Sequence, residues 1–197
     1  MKERPILFSG PMVRALLDGS KTQTRRAMRE QVCAPGIVQI AAPGYCEIIN
    51  EYGVHIPGFR CPYGKPGDRL WVREAWANDA EAQWEPQKRG TFYRADDDAE
   101  EYKSDCAAAG IPFVWRPSIH MHRWRSRITL EITDVRVERL NDCSDADALA
   151  EGVDRTNTSI AGYAKERYQR LWESINGPGS WAANPWVWVV EFLRITP

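Results

Sequence analysis

The sequence predicts an α+β protein whose strands form a small mixed or antiparallel β-barrel, and three observations support this. Strand-like segments at both ends of the chain enclose short helical segments, which is typical of α+β folds. The longest strand signal contains a one-residue shift in its apolar pattern, which indicates the kind of β-bulge that bends barrel strands. The last strand is apolar almost throughout, which indicates burial on both faces. The predicted strands span residues 4–9, 68–76, 127–140 and 186–195.

A short helix is predicted directly after the first strand, over residues 11–18. Pro11 stands at its first position, where the missing N–H costs nothing. Gly19 is a natural C-terminal stop. The apolar residues at helical spacing are Met12, Val13, Leu16 and Leu17. We expect this helix to pack at the edge of the sheet.

Two segments interrupt the barrel pattern. Residues 33–62 are rich in Gly, Pro and short β-prone runs, which predicts an irregular insertion with a hairpin. Residues 77–126 contain the acidic run ADDDAEEY, which we interpret as a solvated loop, and one short strand, TFYRA. The sequence therefore predicts one domain over residues 1–197, with flanking short helices and with insertions at about 33–62 and 77–126.

The second half of the chain carries the bulge and two further helices. In residues 127–140 the apolar alternation shifts near Thr133 and Asp134, which places the bulge there. Ser144 and Asp147 resemble a capping box that begins a short helix. A longer amphipathic helix follows and ends near Gly177. Trp172, Trp186 and Trp188 lie in apolar periodic segments, which favours core positions.

Bulk composition restricts the functional classes. The formal net charge is −1, so nucleic acid could be held only by a local basic patch. The five cysteines are odd in number and lack C-x-x-C spacing, which favours reduced thiols in the cytoplasm. We find no signal peptide and no apolar run long enough to span a membrane. The H-x-H pair at His120 and His122 is a weak zinc signal, so we expect no metal and no cofactor.

The basic segment, residues 17–26, reads LDGSKTQTRR and concentrates an amine, hydroxyls and guanidinium groups. It is not a phosphate loop, because that loop needs G-x-x-x-x-G-K-[ST] between a strand and a helix. A solvated basic turn is the alternative, since Lys and Arg are usually exposed.

A family resemblance adds to this pattern. The spacing Leu-x-Gly-x-Lys-Thr-x-Thr-x-Arg in residues 17–26 resembles the signature of the ASCH domain family, a PUA-like family. KPGDRLWV, residues 65–72, resembles a second landmark of that family, a Gly-Asp turn entering a barrel strand. The order of the remaining strands and helices is similar to that of the larger ASCH-type proteins of bacteriophages and prophages. The resemblance implies a PUA-like β-barrel.

The resemblance also implies function. PUA domains bind RNA on a barrel face, some small ASCH members deacetylate acetylated cytidine, and others have been associated with ribonuclease activity. In the amidohydrolases a Lys and a Thr of the K-T-x-T motif act with a Glu on a later short helix. The matching catalytic positions are Lys21, Thr24 and Glu151. An exposed carboxylate at a helix end is the alternative for Glu151.

The residue types suit these roles. A Thr hydroxyl needs a neighbouring base to act as a nucleophile. Lys21 can be that base only if burial or nearby cations lower its pKa, and Arg25 and Arg26 are such cations. In a helical or turn-like segment, a spacing of three residues would bring Lys21 and Thr24 to the same side. A carboxylate such as Glu151 can then pass a proton to the leaving amine.

An Arg-rich segment, residues 115–127, interleaves four Arg with two Trp and two His and is the best local patch for phosphates and bases. Its alternative is a solvated loop edge, and for any one Trp here packing in the core or at its rim is favoured over base stacking. The predicted partner is RNA or a modified nucleoside. The predicted binding residues are Thr22, Arg25, Arg26, Trp76, Arg116, Arg123, Trp124, Arg125 and Arg127.

Two functions therefore compete. One is a hydrolase of a modified-base amide, and the other is a non-catalytic RNA-binding or phage-accessory module on the same barrel. A structural role in a phage particle would require a large exposed apolar patch, which the sequence does not show clearly. A closed pocket that holds Lys21, Thr24 and a carboxylate would favour catalysis. An open groove beside the Arg-rich segment would favour binding.

Overall fold

The computed structural model describes residues 1–29, 31, 36–50, 52–56, 58–78, 90–96, 99–154, 156 and 160–195. The strands are β1 (Glu3–Leu7), β2 (Gln23–Ala27), β3 (Gly36–Ala42), β4 (Tyr45–Asn50), β5 (His55–Ile56), β6 (Arg69–Arg73), β7 (Trp76–Asn78), β8 (Thr91–Tyr93), β9 (Thr129–Arg139) and β10 (Trp186–Ile195). The helices are α1 (Gly10–Leu17), α2 (Ala99–Ala108), α3 (Asp145–Ala150) and α4 (Tyr163–Asn176).

Five strands form the central mixed sheet, in the order β1-β6-β9-β10-β2. β1 runs parallel to β6, and the other neighbours are antiparallel. All four predicted barrel strands belong to this sheet, which confirms the α+β class. Among the described residues no strand ladder joins the edges β1 and β2, although Arg26 Nη2 donates to Leu7 O at 2.6 Å across them. Barrel closure therefore stays a prediction.

The predicted bulge lies in β9. Asp134 pairs with Glu191 and Ile132 pairs with Phe192, which leaves Thr133 as the extra residue opposite β10. An extra residue restores the inward phase of the apolar side chains after the strand bends. Ile132 and Val135 are consequently both buried. The phase shift in the sequence therefore located the bulge correctly.

β10 separates two hydrophobic clusters, as its apolar run predicts. Trp188, Val190 and Phe192 pack with α1 and the sheet strands in one cluster. Val187 and Val189 pack with α3 and α4 in the other cluster, where Trp172 is also buried. Successive side chains of a strand point to opposite faces, so a strand buried on both faces must be apolar in sequence. Trp186 is half-buried rather than buried.

Two predictions about the middle of the chain are wrong. Residues 68–76 are not one strand, because β6 ends at Arg73 and β7 pairs with β8 in a separate hairpin. The break contains Glu74, whose carboxylate is buried and ion-paired with Arg127. The acidic run is not wholly a loop, because α2 begins within it. Tyr102 of α2 stacks on Phe92 of β8, with ring centroids 4.5 Å apart, so tertiary packing supports this polar helix.

The predictions for the first insertion, for TFYRA and for the capping box hold. The first insertion contains the antiparallel strands β3, β4 and β5, and TFYRA contains β8. The capping box of α3 is present, with the Ser144 side chain accepting from Asp147 N. Four cysteines within the described ranges are buried free thiols, at positions 46, 61, 106 and 143. No helix in the described part of the chain is long and apolar enough to cross a membrane.

Candidate functional site

The basic segment ends in an extended strand, not in a helical turn. Lys21 forms an isolated antiparallel bridge with Glu151, and β2 begins two residues later. β2 pairs with β10 on one side, with Thr24 opposite Val190. Thr22 N donates to Ala150 O at 2.9 Å on the other side. The prediction of a turn was wrong because pairing with β10 imposes the extended conformation, which local spacing does not reveal.

Lys21 and Glu151 form a buried ion pair. The Lys21 side chain is 0% exposed and the Glu151 side chain 2%, and Nζ lies 2.9 Å from Oε2. Lys21 Nζ also donates to Gln23 O and to Glu151 O, each at 2.8 Å. These three acceptors match the three protons of an ammonium group. Glu151 caps the C-terminus of α3 and is not an exposed helix-end carboxylate.

The surroundings of Lys21 act on its pKa in both directions. Burial lowers the pKa most, the charge and hydrogen bond of Glu151 raise it, and Arg26 and Arg25 lower it further. The net result is a lowered pKa. A lysine under these conditions releases its proton more readily than a solvated one, and the adjacent carboxylate is the nearest acceptor.

Arg25 extends the cluster to three carboxylates. Its Nη2 lies 2.9 Å from Glu138 Oε2 and 3.3 Å from Asp147 Oδ1, and its Nη1 lies 3.5 Å from Glu151 Oε1. The guanidinium is fully buried. Arg25 and Glu151 therefore hold each other in position, because moving either would leave a buried charge unpaired.

A second arginine connects this cluster to the surface. Arg136 of β9 pairs with Glu138, Glu191 and Asp147. Sequence reasoning missed Glu138, Arg136 and Glu191 as site residues. Their signal was the density of charge on the inner strand β9 and the single carboxylate, Glu191, within the apolar run of β10.

A cavity of about 60 Å³ lies beside the ion pair. This volume is small beside the roughly 300–1,000 Å³ of typical small-molecule sites, so the cavity suits a group of only a few heavy atoms. Burial, followed by the charge of Glu151, raises the pKa of Tyr168, so its lining phenol is neutral. Two of the three predicted catalytic residues, Thr24 and Glu151, line this cavity. Lys21 does not line it but is ion-paired with Glu151. The lining residues of the cavity are Met12, Thr24, Arg25, Arg26, Ala27, Glu151, Tyr168, Leu171, Trp172, Ile175 and Asn176.

Two other predicted binding residues of the basic segment have different surroundings. Thr22 is exposed, and its backbone ties α3 to β10, because its carbonyl accepts from Phe192 N at 2.9 Å. Arg26 is half-buried, and its guanidinium lies over the Phe8 ring, 5.3 Å from the centroid. Arg26 therefore lines the cavity and also hydrogen-bonds from the edge strand β2 to the edge strand β1.

The Arg-rich segment lies elsewhere, against β7 and β8. Trp76 is only 3% exposed and pairs with Arg116 in an isolated bridge. The guanidinium groups of Arg116 and Arg125 lie over its ring, 5.3 Å and 4.4 Å from the centroid. Trp76 therefore presents no open face on which a base could stack. Arg125 also donates to Thr91 Oγ1 at 2.7 Å.

The other predicted binding residues of this segment differ in their exposure and in the partners of their side chains. Arg127 makes two hydrogen bonds to Glu74 and two to Asp96, so its charge is neutralised within the protein. Arg123 forms an exposed pair with Glu3. Trp124 is 55% exposed and stacks nearly parallel to His122. The Trp124 side chain is therefore exposed, whereas that of Trp76 is not.

Among the residues that the structure describes, no group of three or more His, Cys, Asp or Glu side chains is arranged to hold a metal ion. Comparisons with protein-family models, with curated proteins and with solved structures find no match for this chain. The fold and the site define an α+β protein with a buried Lys–Glu–Arg cluster at the covered edge of a mixed sheet.

Proposed function

We propose that this chain is an ASCH-type protein with a PUA-like barrel, and that it hydrolyses an amide on the exocyclic amine of a modified pyrimidine nucleoside. The observation that carries the proposal is the buried Lys21–Glu151 pair beside a cavity lined by Thr24 and Glu151. A buried pair with a lowered lysine pKa is a common feature of active sites. The resemblance of residues 17–26 to the ASCH signature supports the same three residues.

The three side chains take complementary roles in this reaction. Lys21 passes a proton to Glu151 and becomes a neutral amine, which burial favours. As the Thr24 oxygen attacks the acyl carbon, its proton reaches the Lys21 amine by way of the Glu151 carboxyl, which lines the cavity with Thr24 and bonds to Lys21. Glu151, now a carboxylic acid, gives its proton to the nitrogen of the leaving amine as the C–N bond breaks. Both ionisable groups have then returned to their charged forms.

Water completes the reaction. It attacks the acyl carbon of the ester on Thr24, its hydroxyl joins the acyl group, and its remaining proton returns to the Thr24 oxygen. The products are the free amine and a small carboxylic acid. Arg25 acts as a positioning residue, because its bonds to Glu138, Asp147 and Glu151 orient the carboxylate.

The size of the cavity restricts the substrate. A cavity volume of about 60 Å³ suits a small acyl group better than a whole base. The base would then lie at the mouth of the cavity, beside Arg26 and Ile175 of the lining. Acetyl is the matching acyl group, and acetylated cytidine is the probe that follows from the resemblance.

The test incubates the purified chain with N4-acetylcytidine and related amides and measures release of the free amine. Thr24→Val keeps the shape of the side chain but removes the hydroxyl, so we expect at least about a hundredfold loss of kcat. Lys21→Met should cause a similar loss, because it removes the base. Thr24→Ser, which keeps a hydroxyl, should retain part of the rate.

Arg170→Gln is the matched control, since Arg170 is exposed on α4 and pairs only with Glu166 among the residues described. Circular dichroism and thermal unfolding establish that each variant is folded. Full activity of folded Thr24→Val, or inactivity of the unaltered chain on all the amides, would remove this function.

A binding module for RNA is the second candidate, and the exposed Trp124 favours it. Its ring lies with its plane 7° from that of His122, and the Arg125 guanidinium lies 4.1 Å from the centroid. Aromatic rings of this kind stack on unpaired bases, which stabilises a complex by about 1–3 kcal/mol per base. Its test is the salt dependence of oligoribonucleotide binding in variants of Arg123 and Arg125.

A further inference from the structure

A second cavity, of about 380 Å³, lies near the beginning of β1, whereas Arg26 contacts the end of that strand. Its walls come from residues 1–4, from the turn between β3 and β4, and from residues 60–68. It shares no lining residue with the cavity beside Glu151. We call it the basic cavity.

One glycine, Gly44, allows the walls of the basic cavity to meet. A Cβ on Gly44 would lie 2.6 Å from Gly64 O and 2.9 Å from Lys65 Cβ. Gly44 also has a φ of +71°, which favours glycine. Cys61 N donates to Gly44 O at 2.7 Å and joins the same two loops. The hairpin turn is therefore docked on the following loop by backbone contact, which gives the cavity a defined wall.

The lining is strongly cationic. It contains one acidic residue, Asp68, and both of its carboxylate oxygens are engaged within the protein. Lys2 N donates to Oδ1 at 2.7 Å, and Arg4 Nη1 donates to Oδ2 at 2.9 Å. The basic residues of the lining are Lys2, Arg4, Arg60 and Lys65. Four cations against one carboxylate leave an excess of three positive charges in a chain whose net charge is −1.

The four cations of the lining differ in the contacts that their side chains make within the protein. Arg4 is fixed by Asp68, and the Arg60 guanidinium lies over the Tyr45 ring, 5.9 Å from the centroid. Within the described ranges, the side chains of Lys2, Arg60 and Lys65 have no carboxylate partner. Cations gathered without counter-charges repel one another, so an anion that joins them is stabilised.

We propose that the basic cavity binds the phosphoryl group of a nucleotide. Guanidinium and ammonium groups converging on one cavity suit a phosphate, which accepts several N–H donors at once. A volume of about 380 Å³ exceeds the need of a phosphate ion and is within the range of small-molecule sites. The phosphate of a free mononucleotide and the phosphate of a nucleotide chain share this chemistry.

The experiment measures binding to the full chain by titration calorimetry. The probes are pyrophosphate, cytidine 5′-monophosphate, cytidine without phosphate, and a short oligocytidylate. Arg60→Gln combined with Lys65→Gln should weaken binding of the phosphorylated probes at least about tenfold and leave that of cytidine unchanged. Arg170→Gln removes one exposed charge far along the chain and should change none of them.

The remaining outcomes identify the source of the phosphate and test whether the basic cavity binds it. If the oligocytidylate binds more tightly than the mononucleotide and loses affinity in the double variant, the phosphate belongs to a nucleic-acid chain, and the opposite order assigns a free nucleotide. Thr24→Val should bind the phosphorylated probes as tightly as the unaltered chain, because Thr24 does not line the basic cavity. Failure of the proposed hydrolysis would therefore not count against phosphate binding at this cavity. Equal binding by the folded double variant and Arg170→Gln, or no binding to the unaltered chain, would overturn the proposal.

Discussion

The basic segment and the Arg-rich segment are similar in sequence but have opposite surroundings. Both place several cations within a few residues. In the basic segment, Lys21 and Arg25 are wholly buried and paired with carboxylates from α3 and β9. In the Arg-rich segment, Arg123 is exposed, and its carboxylate partner, Glu3, is exposed as well.

The difference arises from where the carboxylates come from. Glu151, Asp147 and Glu138 reach β2 from elements more than a hundred residues later in the chain. A charge is tolerated in the interior only with such partners, so the same residue types become internal or external according to the tertiary fold. A cation-rich sequence therefore marks a site only when its counter-charges are known.

Removing the carboxylate from the buried pair should have the largest effect on stability. Glu151→Gln leaves the Lys21 ammonium buried without a counter-charge and should lower the free energy of unfolding by about 3–5 kcal/mol. Urea unfolding at pH 7 measures it. The double variant Lys21→Met with Glu151→Gln removes both charges and should recover much of the loss. A cost below about 1 kcal/mol for Glu151→Gln alone would show that the pair is not a desolvated one.

The second-largest expected effect is the change of stability on acidification, which should distinguish the basic segment from the Arg-rich segment. Burial raises the pKa of Asp147, but hydrogen bonds from Ser144 and the charge of Arg25 lower it to about 2, against an ordinary 3.8. The folded pKa is the lower one, so its stabilisation is complete above about pH 4 and is lost as the pH falls toward about 2. The expected loss is about 2 kcal/mol. Urea unfolding between about pH 5 and pH 2 measures the loss, and Asp147→Asn should reduce its slope.

Glu74, beside the Arg-rich segment, supplies the opposite control. Its burial raises its pKa despite Arg127, so protonation on acidification favours the folded state. Glu74→Gln removes this gain and should steepen the loss of stability with falling pH. Identical acid curves for Asp147→Asn and Glu74→Gln would contradict the contrast between the two regions.

The exposed cations should matter least for stability and most for RNA. Arg123→Gln should change the free energy of unfolding by no more than about 0.5 kcal/mol, because its pair with Glu3 is exposed. Combined with Arg125→Gln, it should weaken oligoribonucleotide binding. The slope of log K against log salt should also fall, by roughly 0.7 for each phosphate that is no longer neutralised.

Arg127→Gln is the internal contrast for that experiment, since Glu74 and Asp96 already neutralise this guanidinium. It should destabilise the chain and leave the salt slope nearly unchanged. Filter-binding or fluorescence titrations across a salt series measure both variants. If the Arg123/Arg125 variant keeps the affinity and slope of the unaltered chain, the Arg-rich segment is a solvated edge and the binding-module function fails.

Periodicity and local chemistry were enough to predict much of the fold. The strands β1, β9 and β10, the α1 and α4 helices, the capping box at Ser144 and the bulge at Thr133 all follow from patterns within a few residues. The edge strand β2 could not be predicted in this way, because QTRRA has no apolar alternation. Its extended conformation depends on hydrogen bonds to β10.

The sequence by itself determined which reactive residue types are present. It also carries the resemblance that identifies Lys21, Thr24 and Glu151 as candidate catalytic residues. Only the tertiary structure decided their environment: Lys21 and Glu151 form one buried pair, Trp76 is covered, and Arg127 is neutralised. The physical reason is that burial and ion pairing depend on neighbours distant in the chain. A carboxylate 130 positions away determines whether Lys21 is a solvated cation or part of a buried ion pair.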